Sequence, residues 1–179
     1  MNNLSSKLSS EYISGFVDGE GCFGLQFRKD IRHKRLSTPV YYSWKAQFTI
    51  CARKDELELF KRIKDYFGCG NIYNELDKEI HYCVSKIEEL ENIISPFFKK
   101  YQLQGKKKFD FILWAEAIKI ILRNKKLKTN VQKGLHGFQK TNWNENDLVR
   151  LLEIHTEMQK YKSKRPIGFK HINMAKKSA

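Results

Sequence analysis

The chain has 179 residues, of which 34 are Lys or Arg and 20 are Asp or Glu, so the formal net charge is +14. Hydrophobic residues make up 41% of the chain, which is enough to build a core and excludes wholesale disorder. The length predicts one domain. Because the positive charge exceeds what solubility requires, it indicates a polyanionic partner, either a nucleic acid or an anionic membrane surface.

The sequence argues against a membrane-spanning protein and against a disulfide-rich one. No apolar run approaches the roughly 20 residues that span a bilayer, and residues 1–11 are too polar for a signal peptide. The cysteines form no Cys-x-x-Cys pair, which argues against a zinc site and against a disulfide framework. We therefore expect four reduced thiols in an intracellular protein. These are Cys22, Cys51, Cys69 and Cys83.

The first predicted helix follows Ser9, a good N-cap, and ends at Gly19 and Gly21. Gly15 and Gly19 lie four residues apart, on one face of this helix. Such a face lets a second helix cross closely, because only small side chains fit there. The alternative is a frayed helix with a glycine stop, since glycine inside a helix costs about 1 kcal/mol relative to alanine.

A hairpin with a long basic tip is predicted after this helix. Residues 22–29 and 41–51 both alternate between apolar and polar side chains, as strands with one buried face do. Residues 22–54 carry eight Lys and Arg side chains against the single acid Asp30. Half of the net charge is therefore concentrated in less than a fifth of the chain.

The remaining pattern predicts an α+β fold. We expect a helix over 55–67 that stops at Gly68, a second hairpin over 69–75 and 79–85, and three later helices. These later helices are predicted over 87–97, 108–122 and 146–161, the last capped by Asn144. The order αββαββα, followed by extra helices, predicts an antiparallel sheet with helices packed on its apolar face.

The domain is expected to cover residues 1–165, followed by a basic and flexible tail over 166–179. The second face of the predicted sheet is polar and basic, so it must face water or a ligand.

Polar side chains on that second face are candidates for nucleic-acid contacts. A two-stranded ribbon fits the major groove of DNA, where Gln and Asn can pair with adenine and Arg and Lys with guanine. For any one residue the alternative is an ordinary solvated strand face, but both hairpins share the pattern. The candidates are Gly24, Gln26, Arg28, Arg32, Lys34, Arg35, Ser43, Lys45, Gln47, Thr49, Asn71, Tyr73, Glu75 and His81.

Residues 13–21, with the sequence Ile-Ser-Gly-Phe-Val-Asp-Gly-Glu-Gly, resemble the signature of LAGLIDADG homing endonucleases. Gly15, Asp18 and Gly21 match it letter for letter, and the other six are conservative replacements. The context agrees, because the motif ends a helix and leads directly into the first strand. Residues 101–111 are similar to the lysine-bearing loop that precedes a later helix in that family.

The resemblance implies a sequence-specific double-stranded DNA endonuclease that acts as a homodimer on a long pseudo-palindromic site. The family has one motif per half-site, and this chain has one motif, so two motif helices would cross at a two-fold axis. The resemblance places six residues at the dimer interface. They are Ile13, Ser14, Gly15, Phe16, Asp18 and Gly19.

Two alternatives remain open on the same scaffold: an RNA maturase that helps an intron to fold, and a DNA-binding protein that does not cleave. The basic surface attracts RNA as well as DNA, whereas retention of Glu20 favours cleavage over binding alone. The expected location is an organelle, chloroplast or mitochondrion, or a bacterial cytoplasm, with no membrane partner.

The resemblance also assigns the metal. It places Mg²⁺, with Ca²⁺ or Mn²⁺ as substitutes, on Glu20 and on the backbone carbonyl of Gly19. Such hard oxygen ligands suit Mg²⁺. Asp18 lies on a different face of the helix and is expected to cap or pack at helix ends instead.

Basic residues complete the expected catalytic set. Lys107, with Lys106 as the second choice, corresponds to the basic residue near the scissile phosphate, although phosphate contact alone is an equal alternative. The family's glutamine or basic residue after the second strand is absent, because this chain has Ala52 there. Its water-ordering role is either lost or taken over by Arg53.

Overall fold

The computed structural model describes residues 7–31, 40–75, 79–126 and 144–160, which form one antiparallel sheet and the helices that cover it. The elements are α1 (Ser10–Glu20), β1 (Gly21–Ile31), β2 (Val40–Arg53), a 3₁₀ turn (Lys54–Glu56), α2 (Leu57–Phe67), β3 (Asn71–Glu75), β4 (Glu79–Val84), α3 (Ile87–Glu89), a π-helical turn (Leu90–Ile94), α4 (Ser95–Lys100), α5 (Lys107–Lys126) and α6 (Glu145–Gln159). The predicted order of elements is confirmed.

Local signals set the helix ends. The Ser9 side chain accepts a hydrogen bond from the Tyr12 N–H and begins α1. The Asn144 side chain accepts from the N–H groups of the first turn of α6. Gly68 ends α2 in the left-handed region, at φ 64°, where a residue with a Cβ is strained. Gly70 also has a positive φ, of 77°, so β3 begins at Asn71 rather than at residue 69 as predicted.

The junction between α1 and β1 depends on the absence of a side chain at Gly21. A Cβ at this position would lie 2.5 Å from Val17 Cγ1 and 2.7 Å from the Val17 carbonyl oxygen. No real Cβ approaches backbone so closely, so the chain can turn directly from helix to strand only at glycine. This contact explains the last glycine of the motif on steric grounds.

The four strands lie in the order β1-β2-β4-β3, and each pair is antiparallel. One face of the sheet is apolar and is covered by the helices, as predicted. Phe23 on this face contacts Phe98 at a centroid distance of 5.4 Å and Trp114 at 5.0 Å. The Trp114 indole N–H also donates to the Gly24 carbonyl oxygen at 3.1 Å. These contacts fix α4 and α5 against β1.

An ionic cluster holds α6 against α5. The Asp147 carboxylate accepts hydrogen bonds from the Arg123 guanidinium and, at 2.7 Å, from the Asn124 amide. Arg123 holds the pKa of Asp147 below its usual value. Arg150 likewise pairs with Glu116 across the same two helices, at 2.6 Å. The C-terminal helix is thus an integral part of the fold.

The described helices include none that is long and apolar enough to cross a membrane. The predicted tail over 166–179 and the centre of the basic hairpin tip lie outside the described residues.

Candidate active site and nucleic-acid interface

The C-terminal end of α1 brings together an acid and a lysine that are distant in sequence. Glu20 is the last residue of α1 and is exposed. The Lys107 ammonium, at the start of α5, donates to the carbonyl oxygens of Asp18 at 2.8 Å and Gly19 at 2.5 Å. A cation at a helix C-terminus is favourable, because the last carbonyls carry partial negative charge. Lys107 therefore stabilises the C-terminal end of α1. The helix dipole by itself disfavours an acid such as Glu20 at this end.

The environment of Lys107 has opposing effects on its ammonium. Partial burial lowers the pKa of Lys107, whereas the nearby negative charges of Glu20 and Asp18 act in the opposite direction. The structure therefore brings the two predicted catalytic residues to one helix end. Lys106 lies exposed in the turn just before α5.

Asp18 fastens the lysine-bearing loop to the motif helix. Its Oδ2 accepts hydrogen bonds from the backbone N–H groups of Gln104 at 2.6 Å and Gly105 at 3.1 Å. A Cβ at Gly105 would lie only 3.1 Å from Asp18 Oδ1, so glycine allows the close approach. Asp18 therefore accepts from the backbone of the loop before α5, and this loop positions Lys107.

The donor atoms at this helix end fit a hard divalent cation. Glu20 offers a carboxylate, and Gly19 offers a carbonyl oxygen, the ligand types that Mg²⁺ prefers. In this structure the Gly19 carbonyl already accepts from the Lys107 ammonium. Because two cations repel each other, a metal ion on the Gly19 carbonyl is disfavoured while the Lys107 ammonium lies against it.

One face of α1 is open to a second helix. A Cβ built at Gly15 or at Gly19 meets nothing within 4 Å among the described residues. Tyr12, on the same side, is 47% exposed. Phe16 is half-buried, with its ring edge-on to Phe60 at a centroid distance of 6.4 Å. Gly15, Phe16 and Gly19 therefore remain candidates for contact with a second copy.

The other expected interface residues are directed inward. Ile13 is 0% exposed and packs with Val17 in the core, and Ser14 is 7% exposed. The Ser14 hydroxyl donates to the Tyr101 carbonyl oxygen at 3.0 Å. This helix face packs on the chain's own core, and the interface role of Ile13 and Ser14 stays a prediction. Asp18 is engaged with its own loop, as described above.

The polar face of the β1–β2 hairpin presents the predicted base-reading side chains in register. Gln26 lies opposite Lys45, and Arg28 lies opposite Ser43. The Arg28 Nε–H donates to Gln26 Oε1 at 3.1 Å, and both side chains are exposed. Gly24, opposite Gln47, adds no side chain and leaves the face open there. These two polar pairs lie side by side on the polar face of the hairpin.

Gln47 is held within the sheet. Its Nε2 donates to Thr49 Oγ1 at 3.1 Å and to Cys83 Sγ at 2.9 Å. A bidentate contact with adenine uses both atoms of the amide. Gln47 must therefore break these two bonds before it can read a base in that way.

A cleft of about 730 Å³ lies along the polar face. It brings together predicted residues from both hairpins, at a place where β2 extends beyond the end of β4. Those that line it are Arg28, Ser43, Lys45, Gln47, Thr49, Tyr73 and His81. Asn71 lies on the same face, in β3, and is exposed.

Four of the predicted contacts are not placed by the structure. Arg32, Lys34 and Arg35 lie outside the described residues. For Glu75, the last residue of β3, the structure describes the backbone only.

Near Ala52, the structure shows what occupies the end of β2. Ala52 is half-buried against the core. Arg53 is exposed, and its guanidinium binds Asp55 through two hydrogen bonds. The Arg53 side chain is thus held at the exit of the strand by a neighbouring acid.

A cluster that the sequence did not indicate lies on the polar face. Cys51, Glu79 and His81 place a thiol, a carboxylate and an imidazole within 4.8 Å of one another. Glu79 and His81 lie two residues apart on β4, a spacing that alone predicts a shared face. Cys51 comes from β2, and the spacing of the cysteines along the chain could not predict that β2 pairs with β4.

Residues 13–118, more than half of the chain, match the family model described as LAGLIDADG endonuclease, and the chain belongs to this family. The chain is 34% identical over 122 residues to an uncharacterized 50.9 kDa protein in ND4 intron 1 of Podospora anserina, covering 67% of this chain and 26% of that protein. It is 29% identical over 121 residues to the probable intron-encoded endonuclease 3 of Neurospora crassa, covering 67% and 22%. The chain thus spans about a quarter of the length of these relatives.

Solved structures share the fold. The homing endonuclease I-TnaI is similar at a TM-score of 0.69 and 22% identity, with 97% of this chain and 99% of that chain covered. I-SmaMI bound to an uncleaved DNA target in the presence of calcium ions is similar at a TM-score of 0.69 and 24% identity, with 94% and 49% covered. The predicted homing-endonuclease-like α+β fold is confirmed.

Proposed function

We propose that this chain is a sequence-specific double-stranded DNA endonuclease that acts as a homodimer with a divalent metal ion. The observation that carries the proposal is the shared helix end, where Glu20 is exposed and the Lys107 ammonium is held by the carbonyls of Asp18 and Gly19. An acid and a lysine in this arrangement suit cleavage of a phosphodiester, because its transition state is highly negative.

The polar sheet face supports DNA as the substrate. Its cleft is lined by Arg28, Lys45, Gln47 and other donors, and the chain has a net charge of +14. A ribbon with alternate polar side chains can enter the major groove, while basic side chains meet phosphates. The comparisons add support. The Neurospora crassa relative is named a probable intron-encoded endonuclease, and the structural neighbour I-SmaMI is bound to a DNA target.

Glu20 is the residue we propose to hold the metal, with Gly19 as a further oxygen donor. Mg²⁺ is the proposed ion, and Ca²⁺ or Mn²⁺ are substitutes. A divalent ion bound there would lower the pKa of its water and stabilise charge on the scissile phosphate. Lys107, with Lys106 as the second choice, would place its ammonium against the phosphate that lies over this helix end.

A second copy of the chain would complete the site. One motif supplies one Glu20, and the open face at Gly15, Phe16 and Gly19 suits a close helix crossing.

An intron-encoded RNA maturase is the second candidate. The names of two relatives refer to introns, and a basic surface binds RNA as well as DNA. An organelle or a bacterial cytoplasm remains the predicted location. A DNA-binding protein without cleavage is less well supported, because it would have no need of Glu20.

Cleavage of a randomised library of DNA targets in Mg²⁺ tests the proposal. We expect a small set of related, pseudo-palindromic sequences among the cleaved products. A library left uncut, together with stimulation of intron splicing by the same protein preparation, would favour the maturase.

A further inference from the structure

We propose that Cys51, Glu79 and His81 form a binding site for a Zn²⁺-like divalent metal, with ligands other than the oxygen donors of Glu20 and Gly19. The three side chains project from neighbouring strands onto the polar face of the sheet. Cys51 and His81 are direct register partners across β2 and β4. Glu79 precedes His81 by two residues and so shares its face.

The separations between the ligand atoms match a tetrahedral metal centre. Cys51 Sγ lies 3.6 Å from Glu79 Oε2 and 3.7 Å from His81 Nε2. His81 Nε2 lies 3.5 Å from the same Glu79 oxygen. With bonds of about 2.0–2.3 Å to nitrogen, oxygen and sulfur, two ligands of a tetrahedral Zn²⁺ lie about 3.4–3.6 Å apart. A metal ion can therefore be bound with small side-chain movements.

The kind of ligand selects the metal. A thiolate and an imidazole favour Zn²⁺ and related transition metals, whereas Mg²⁺ prefers oxygen ligands alone. Three protein ligands leave a fourth tetrahedral position for water, as in open zinc sites. Arg53, opposite Glu79 in the register, has its guanidinium bound to Asp55.

The place of the cluster links it to the rest of the polar face. Cys51 follows Ile50, which pairs with Gly21, so the cluster lies at the end of the sheet where α1 ends. A bound cation would add positive charge to the polar face, where His81 also lines the cleft. Metal binding by this cluster does not depend on cleavage of DNA.

Titration with Co²⁺, followed by absorption spectroscopy, tests the site, because tetrahedral Co²⁺ with a thiolate ligand gives visible bands and a thiolate charge-transfer band. We expect about one Co²⁺ per chain, displaced by Zn²⁺ but not by excess Mg²⁺. Cys51→Ser should abolish the charge-transfer band, and His81→Gln should weaken binding by about tenfold or more.

Cys22→Ser is the matched control, because Cys22 is an exposed thiol on a neighbouring strand. It should leave the spectrum and the affinity unchanged. Circular dichroism of each variant establishes that it is folded. A wild-type protein without the charge-transfer band, or a band that persists in Cys51→Ser, would overturn the inference.

Discussion

The Lys107 ammonium lies 2.5 Å from the carbonyl oxygen of Gly19, so the loop before α5 and the motif helix are joined across 88 positions of sequence. Asp18 reinforces this connection through the backbone of Gln104 and Gly105. The two contacts place a lysine beside Glu20 while most of the intervening chain builds the sheet. The candidate site is therefore assembled by tertiary structure around one helix end.

Replacement of Asp18 tests this connection. Asp18→Ala removes two hydrogen bonds to a carboxylate, so we expect it to lower the free energy of unfolding by about 1–3 kcal/mol and to reduce cleavage, since Lys107 is no longer positioned. Asp18→Asn, which keeps an acceptor oxygen, should have a smaller effect. Urea denaturation measures the change, and Asp65→Ala, an exposed acid on α2, is the control. Equal stabilities of Asp18→Ala and Asp65→Ala would contradict the anchoring role.

Acid should weaken the attachment of α6. The pKa of Asp147 lies below its ordinary value of 3.8, chiefly because Arg123 donates to it, and the pKa of Glu116 lies below 4.5 because of Arg150. The unfolded state therefore binds protons first, and this stabilisation is fully present above the ordinary pKa values and is lost as the pH falls from them through the lower pKa values of the folded protein. We expect the free energy of unfolding to drop once the pH falls below the ordinary pKa of 4.5 for Glu116, and to keep dropping below 3.8, the ordinary pKa of Asp147.

The Asp147→Asn variant shows whether the ion pairs between α5 and α6 cause this pH dependence of stability. Its stability should depend less on pH over the same range, since one of the two carboxylates is missing, while Glu116 still contributes. Denaturant unfolding at several pH values provides the measurement. The same pH dependence in Asp147→Asn and in the wild type would show that Asp147 contributes nothing to it.

A large side chain at Gly15 should prevent dimer formation. A Cβ there meets nothing in its own chain within the described residues, so Gly15→Leu can fold, but it fills the face on which a second helix would pack. Analytical ultracentrifugation should show a dimer for the wild type and a monomer for Gly15→Leu. Lys119→Leu adds the same side chain at an exposed position of α5 and should leave the dimer intact. A wild-type monomer that also binds DNA as a monomer would refute the dimer.

Arg28 provides the test of base recognition. If its guanidinium binds guanine with two hydrogen bonds, Arg28→Ala should lose about 1–3 kcal/mol of discrimination at one base pair. Lys34→Ala, in the predicted basic tip of the hairpin, should weaken binding to all sequences alike. Lys61→Ala, on the helix-covered side of the sheet, is the control. Competition binding with single-base variants of the target measures the effect. A uniform loss in Arg28→Ala would identify a phosphate contact instead.

Local patterns in the sequence were enough to predict the elements and the face of each strand, because alternation and capping depend on near neighbours. The inward direction of Ile13 could not be predicted in this way, since an apolar helix face suits its own core as well as a second copy. The partner of Asp18 lies 86 positions away, and the partner of Cys51 lies on β4. Both depend on the register and packing of distant segments, which spacing along the chain does not contain.

Replacement of Glu20 by glutamine tests the central claim most directly. Glu20→Gln keeps the size of the side chain and removes the charge that would hold a divalent metal, while DNA binding is proposed to depend on the sheet face. Gel-shift affinity in Ca²⁺ and plasmid cleavage in Mg²⁺ are measured on one preparation of each protein. We expect DNA binding to survive and cleavage to be lost. Cleavage by Glu20→Gln at the wild-type rate would contradict the nuclease site proposed at the end of α1.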